Sequence, residues 1–185
     1  EGLCVDCVMV DNVRAAYQAT CKLIRAGHRR IGIISGPVNS FNSQKRLVGI
    51  QQALFEASIP YNVGTTVIGD WTRECGYHAA SQLLSQGVTA IYAFSDKMIS
   101  GVYTYCIEHR ISVGKDISLF GFDDSDIVHA YTPPLASAKP DLQEMGHKAA
   151  ELVLAQLQGK TVCTKCHVLP CTIHVRPSVC SIGEA

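Results

Sequence analysis

The stretch Asp116-Ile117-Ser118-Leu119-Phe120-Gly121-Phe122-Asp123-Asp124-Ser125-Asp126 decides how this chain is read. Ile117 to Phe120 has the length and composition of a buried strand. It stops at Gly121 and is followed by carboxylates at 123, 124 and 126. Open α/β sheets hold their ligands in the crevice beyond the carboxyl ends of the strands. An acidic turn at such an end is either a solvated surface turn or part of a binding rim, and the flanking sequence has to decide.

Working outward toward the N-terminus, the same unit recurs. Thr89 to Phe94 reads as a strand ending in Ser95-Asp96, with Asp96 as the cap of a helix carrying Ile99, Val102, Cys106 and Ile107. Val63 to Ile68 reads as a strand running into Gly69-Asp70-Trp71, with a helix from Arg73 to Gln86. Arg30 to Ser35 is β-branched and meets the turn signal Gly36-Pro37. Ser43 is the expected cap of the helix that follows, striped by Leu47, Ile50 and Leu54. Val5 to Val10 is the first strand, and the helix after Asp11-Asn12 stops at Gly27. Strand alternates with helix four times, over connections too long for hairpins. That pattern predicts a parallel sheet covered by helices on both faces.

Beyond Pro133-Pro134 the rhythm changes. An amphipathic helix is expected from Pro140 to about Gln158, then short strands near Val168-Leu169 and from Thr172 to Val175.

Composition narrows the function classes. With 185 residues, 47% of them apolar, the chain fills one ordinary domain or one large lobe. The 16 basic and 16 acidic residues cancel, and Arg25, His28, Arg29 and Arg30 form the one basic cluster, at a helix end where cations oppose the dipole. No electrostatic footprint for nucleic acid is present, so this chain by itself is not expected to hold DNA. No apolar run is long enough to span a membrane, and no signal-like leader opens the sequence. Nine cysteines, scattered and odd in number beside a good apolar core, fit a reducing, cytoplasmic compartment better than a disulfide framework.

In a parallel sheet the strand ends stand side by side, which gathers Gly36-Pro37, Asp70-Trp71, Ser95-Asp96 and Asp123-Asp124 on one rim. Arg46 sits on the helix after the first of them. A polyhydroxyl ligand suits such a rim. Indole offers a flat face to the C–H side of a sugar ring, carboxylates accept from hydroxyls, and a guanidinium donates through a rigid fork. Asp70, Asp96 and Asp124 have competing roles in caps and turns; Arg46, Trp71 and Asp123 are the stronger candidates.

The same stretches carry a family resemblance. Val10-Asp11-Asn12, Gly27-His28-Arg29-Arg30-Ile31-Gly32, Ser35-Gly36-Pro37, Arg46-Leu47-x-Gly49, Gly69-Asp70, Ser95-Asp96-x-Met98, the opening stretch and Pro133-Pro134-Leu135 occur in one order. Together, from about Val8 to Val179, they resemble the effector-binding core of the LacI/GalR bacterial transcription regulators. The resemblance implies a periplasmic-binding-protein-like type I fold, two α/β lobes joined by three crossovers with the effector between them. Residues 13–136 plus 167–185 would form the C-terminal lobe. Residues 1–12 plus 137–166 would be remnants of the N-terminal lobe and crossovers, with the DNA-binding helix-turn-helix outside this chain. Arg46 and Asp123 match the family's effector-binding arginine and aspartate, Trp71 its stacking aromatic, and Ser95 a weaker contact. The implied protein is a non-catalytic, homodimeric sensor of a small molecule, a sugar or sugar derivative, that touches DNA only through its missing domain.

Two other readings compete. An exported sugar receptor with the same fold would carry a signal peptide in place of the DNA-binding domain. An enzyme using Asp123 and Asp124 lacks any nucleophile elbow or phosphate loop in support. Cys4-x-x-Cys7 and Cys163-x-x-Cys166-His167 have spacings known from zinc and haem sites. They are read as thiols of a cysteine-rich sequence, with no cofactor or metal expected.

Overall fold

The computed structural model describes residues 6–159 and 166–182. Eight strands and six helices follow in the order β1 (Cys7–Val10), α1 (Asn12–Arg25), β2 (Ile31–Ser35), α2 (Phe41–Glu56), β3 (Thr66–Ile68), α3 (Arg73–Ser85), β4 (Ala90–Ala93), α4 (Asp96–Glu108), β5 (Ser118–Phe122), α5 (Asp126–His129), β6 (Ala136–Pro140), α6 (Leu142–Leu157), β7 (Cys166–Leu169) and β8 (Cys171–His174). Six strands form one sheet in the order β3-β2-β4-β5-β6-β8, parallel except for the β6–β8 pair at its end. β1 and β7 form a separate parallel pair.

The central strands β2, β4 and β5 are buried along their whole length. This is the consequence of helices on both faces, and it is why they read as unbroken apolar runs. Tyr92, Phe94 and Phe120 pack edge-to-face in the middle, with ring centroids 5.4–5.8 Å apart. The helices pair as α1 with α2 and α3 with α4. Gly49 on α2 lies against the backbone of α1 at Val13, and Gly101 on α4 against α3 at Arg73, where any side chain would collide with main chain.

Several boundaries differ from the sequence reading. Ser40, not Ser43, caps α2: its hydroxyl accepts from the Ser43 amide at 3.3 Å, and Ser43 is buried inside the first turn. Val63–Thr65 is a single tight turn, which leaves only Thr66–Ile68 as strand. Ala136–Pro140, unread as a strand, pairs with β5 and β8, so α6 begins only after its cap Asp141. Sheet membership therefore puts residues 137–140 with the large sheet and 167–169 with the small one.

Candidate functional site

The carboxyl ends of β3, β2, β4 and β5 line up along one edge because those strands are neighbours in the sheet. Chain order reverses between β2 and β4: from β2 the chain moves outward to β3, then returns to the other side. That point is where an open parallel sheet leaves a crevice.

Arg46 spans it. It projects from α2, the helix after β2, and its Nη1 donates to the Phe94 carbonyl beyond β4. Nε donates to Asn12 Oδ1 at 2.8 Å, and the guanidinium stacks 3.3 Å above the Phe122 ring. Burial to 7% exposure lowers its pKa, against the pull of Asp123 and Asp96. A guanidinium nevertheless keeps its charge. Among the described residues Nη2 has no hydrogen-bond partner, so the fork is fixed on one side and free on the other.

Trp71 stands at the next strand end. Its backbone is in the left-handed region at φ 70, where a bulky residue costs of order 1–3 kcal/mol. The indole lies directly on Gly36, where a Cβ would overlap the ring and the Ser43 hydroxyl. Glycine at the end of β2 is thus required by the tryptophan at the end of β3. Asp70 does not reach into the crevice. It accepts from the Thr72 hydroxyl at 2.6 Å and amide at 2.9 Å, bonds that hold its carboxyl below the usual range, while Thr72 caps α3.

At the end of β4 the expected roles of two residues are exchanged. Ser95, not Asp96, caps α4, accepting from the Met98 amide at 3.2 Å, and it is buried. Asp96 is buried beneath the turn after β5. It accepts from the Ser125 amide (2.7 Å), the Ser125 hydroxyl (2.9 Å) and the Ser137 hydroxyl (2.8 Å). Burial raises its pKa and these hydrogen bonds oppose the rise. Asp96 ties β4, β5 and β6 together, a supporting role that adjacent cap-forming residues concealed in the sequence.

Asp123 and Asp124 both have positive φ, 110 and 53, a conformation aspartate tolerates better than most residues. The turn sends their carboxylates apart. Asp123 is exposed on the open edge, yet the protein packed beneath it pushes its carboxyl up to about 6, against the attraction of Arg46. The side chain of Asp124 is buried and pairs with Arg176 at 2.6 Å, with His129, His174 and Lys139 at 3.6–4.0 Å. It anchors the turn to β8 and the segment beyond it.

Asp123 also edges a depression of about 630 Å³ that includes Lys139, Asp141, Gln143, Thr172 and His174. Arg46, Trp71 and Ser95 do not line that depression. Thr172 and His174 were not singled out from the sequence, because they line the depression only through the pairing of β8 with the unread strand β6. No group of three His, Cys, Asp or Glu side chains among the described residues is arranged to hold a metal. Cys4 and Cys163 lie outside the described residues.

A mostly parallel sheet whose chain order reverses between β2 and β4, with a second small sheet on the same chain, has the layout of a periplasmic-binding-protein-like domain. A family model described as the periplasmic binding protein-like domain matches residues 20–179. The transcriptional repressor CytR of Escherichia coli (strain K12) is 35% identical over 173 residues, 92% of this chain and 51% of CytR. A transcriptional regulator CelR–cellobiose complex superposes with a TM-score of 0.89 at 32% identity, over 94% of this chain and 54% of that one. A LacI family regulator from Enterococcus faecium with bound ribose gives 0.90 at 25% identity, over 98% and 68%. The chain belongs to the effector-binding domains of the LacI/GalR family. It spans about half the length of the curated relatives it matches.

Proposed function

We propose that this chain is the effector-sensing part of a LacI/GalR-type bacterial transcription regulator, cytoplasmic, homodimeric and without catalytic activity. Arg46, Trp71, Asp123 and, more weakly, Ser95 contact a small polyhydroxyl effector, a sugar or sugar derivative. Residues 13–136 plus 167–185 make most of the C-terminal lobe, and the remainder belongs to the other lobe and the crossovers. Operator DNA is bound by a helix-turn-helix outside this chain. Effector that binds one lobe arrangement better than the other shifts the dimer between DNA-binding and non-binding states. α4 and the segment 126–131 supply the subunit contact, where Ile107 is exposed and Tyr103 stacks on Tyr131.

The observation that carries this reading is Arg46: a buried, hydrogen-bonded guanidinium with one free nitrogen, held across the β2–β4 reversal beside Asp123. The relatives are named as regulators, which favours a repressor over an exported receptor. The test is calorimetry on the full-length regulator, with a panel of pentoses, hexoses and disaccharides that begins with ribose and cellobiose. Trp71→Ala and Asp123→Ala should each weaken the best binder on the order of 10–100-fold, the worth of a buried stacking face for the first and of a charged hydrogen bond for the second. Circular dichroism should stay unchanged. Unaltered affinity in both variants overturns the site, and a panel without a binder overturns the sugar class.

A further inference from the structure

In the β1–β7 pair, Cys7 and Cys166 are directly opposite one another. Neighbouring parallel strands send paired side chains to one face, and residues two apart on a strand share that face. Met9 therefore joins the two cysteines. Cys166 Sγ lies 3.0 Å from Met9 Sδ, and its register partner Cys7 presents a thiol to the same face, so three sulfurs gather there. A cysteine is usually a small buried hydrophobe. Packing does not explain Cys166, which is exposed, nor Cys7 and Met9, which are half-buried. The exposure of Cys166 makes the cluster accessible from solvent.

We propose that Cys7, Met9 and Cys166 form a soft-metal site for copper(I). Thiolate and thioether sulfurs together select copper(I), whereas zinc draws on cysteine, histidine and carboxylate but not thioether. Binding displaces one proton from each thiol and leaves the copper oxidation state unchanged, so affinity rises with pH. His167 takes no part, because its register partner is Val8, on the opposite face. The site sits where two crossings of the chain begin. β1 runs straight into α1, β7 into β8, and the Asp11 amide already donates to the Leu169 carbonyl at 2.8 Å. A bound ion clamps these two strands to each other.

The test uses the protein purified and reduced under anaerobic conditions, titrated with copper(I) against the chelator bathocuproine disulfonate. One equivalent should be withheld from the chelator, with the ultraviolet thiolate-to-copper absorption rising in step. Cys7→Ser and Cys166→Ser should each abolish that equivalent. Cys21→Ser and Cys75→Ser, on α1 and α3, should leave it unchanged. Met9→Leu conserves volume and keeps the fold; it should retain binding but weaken it on the order of tenfold or more, as loss of a supporting group does. Circular dichroism checks that each variant is folded. No withheld copper, a loss that follows Cys21 or Cys75 instead, or full affinity in Met9→Leu overturns the proposal. So does zinc displacing copper(I) from the site at equal concentration.

Discussion

The six-stranded sheet and the β1–β7–α6 region are made of similar residues and are buried to opposite extents. α4 buries seven of its 13 residues against the large sheet and α3. α6 is longer, with an apolar stripe of its own, and buries none of its 16. Leu142, Val153, Leu154 and Leu157 are all more than half exposed. An amphipathic pattern thus specifies a helix and its sticky face but not the surface that covers it. In the large sheet the covering surface is present within the chain, and the candidate site residues stand at its edge. In the small region the strands are joined by few groups, and chemistry that needs an accessible sulfur cluster becomes possible.

The largest expected effect breaks the better-packed side of this comparison. Phe120 is fully buried and meets Tyr92 edge-to-face. Phe120→Ala should cost about 3–5 kcal/mol, the lost transfer energy plus the cavity left behind. Urea unfolding followed by circular dichroism measures it. A cost below about 1 kcal/mol would mean that the sheet centre relaxes into the void, contrary to its dense ring packing.

What could be read beforehand follows the same division. β2, β4 and β5 were legible because burial on both faces imposes unbroken apolar runs, and each run ends at a turn signal. That the strand ends leading to Trp71, Ser95 and Asp123 stand along one edge followed from parallel pairing alone. Three features were hidden. Ser95-Asp96 offers two cap-forming residues in succession, and only burial beneath the β5–α5 turn distinguishes cap from anchor. Ala-Ser-Ala-Lys-Pro at 136–140 has little strand propensity and is a strand because β5 and β8 flank it. Arg46 was read as a candidate ligand group, and its commitment to Asn12 and Phe94, partners 34 and 48 residues away, was not visible.

A smaller effect sharpens the role of the edge itself. An unfolded aspartate loses its proton near about 3.9, while Asp123 in the fold holds its own to about 6. The folded chain therefore carries extra proton in that window. The contribution of Asp123 to stability is full below about 4 and is lost as pH rises through about 6. Asp123→Asn should remove this slope. The difference between the two proteins isolates it, because Asp96, whose pKa is also raised, is present in both. Effector affinity should run the other way: hydroxyls donate to the carboxylate, so binding strengthens as pH rises from 5 to 7 in the wild type only. A pH-independent affinity in the wild type would place Asp123 outside the contact.

The smallest effect tests the bare side. Leu154 is 57% exposed, and its replacement removes no contact with the core. Leu154→Gln should shift stability by less than about 0.5 kcal/mol, as substitutions away from packed features do, with the helix kept because glutamine is a good helix former. Denaturation at two protein concentrations distinguishes the possible outcomes. A near-zero, concentration-independent change means that α6 stands uncovered in solution. A loss above about 1 kcal/mol that grows with concentration means that a second copy already covers the helix. In that case α6 would behave as α4 does, and the contrast between the two regions would belong to the single chain and not to the protein in solution.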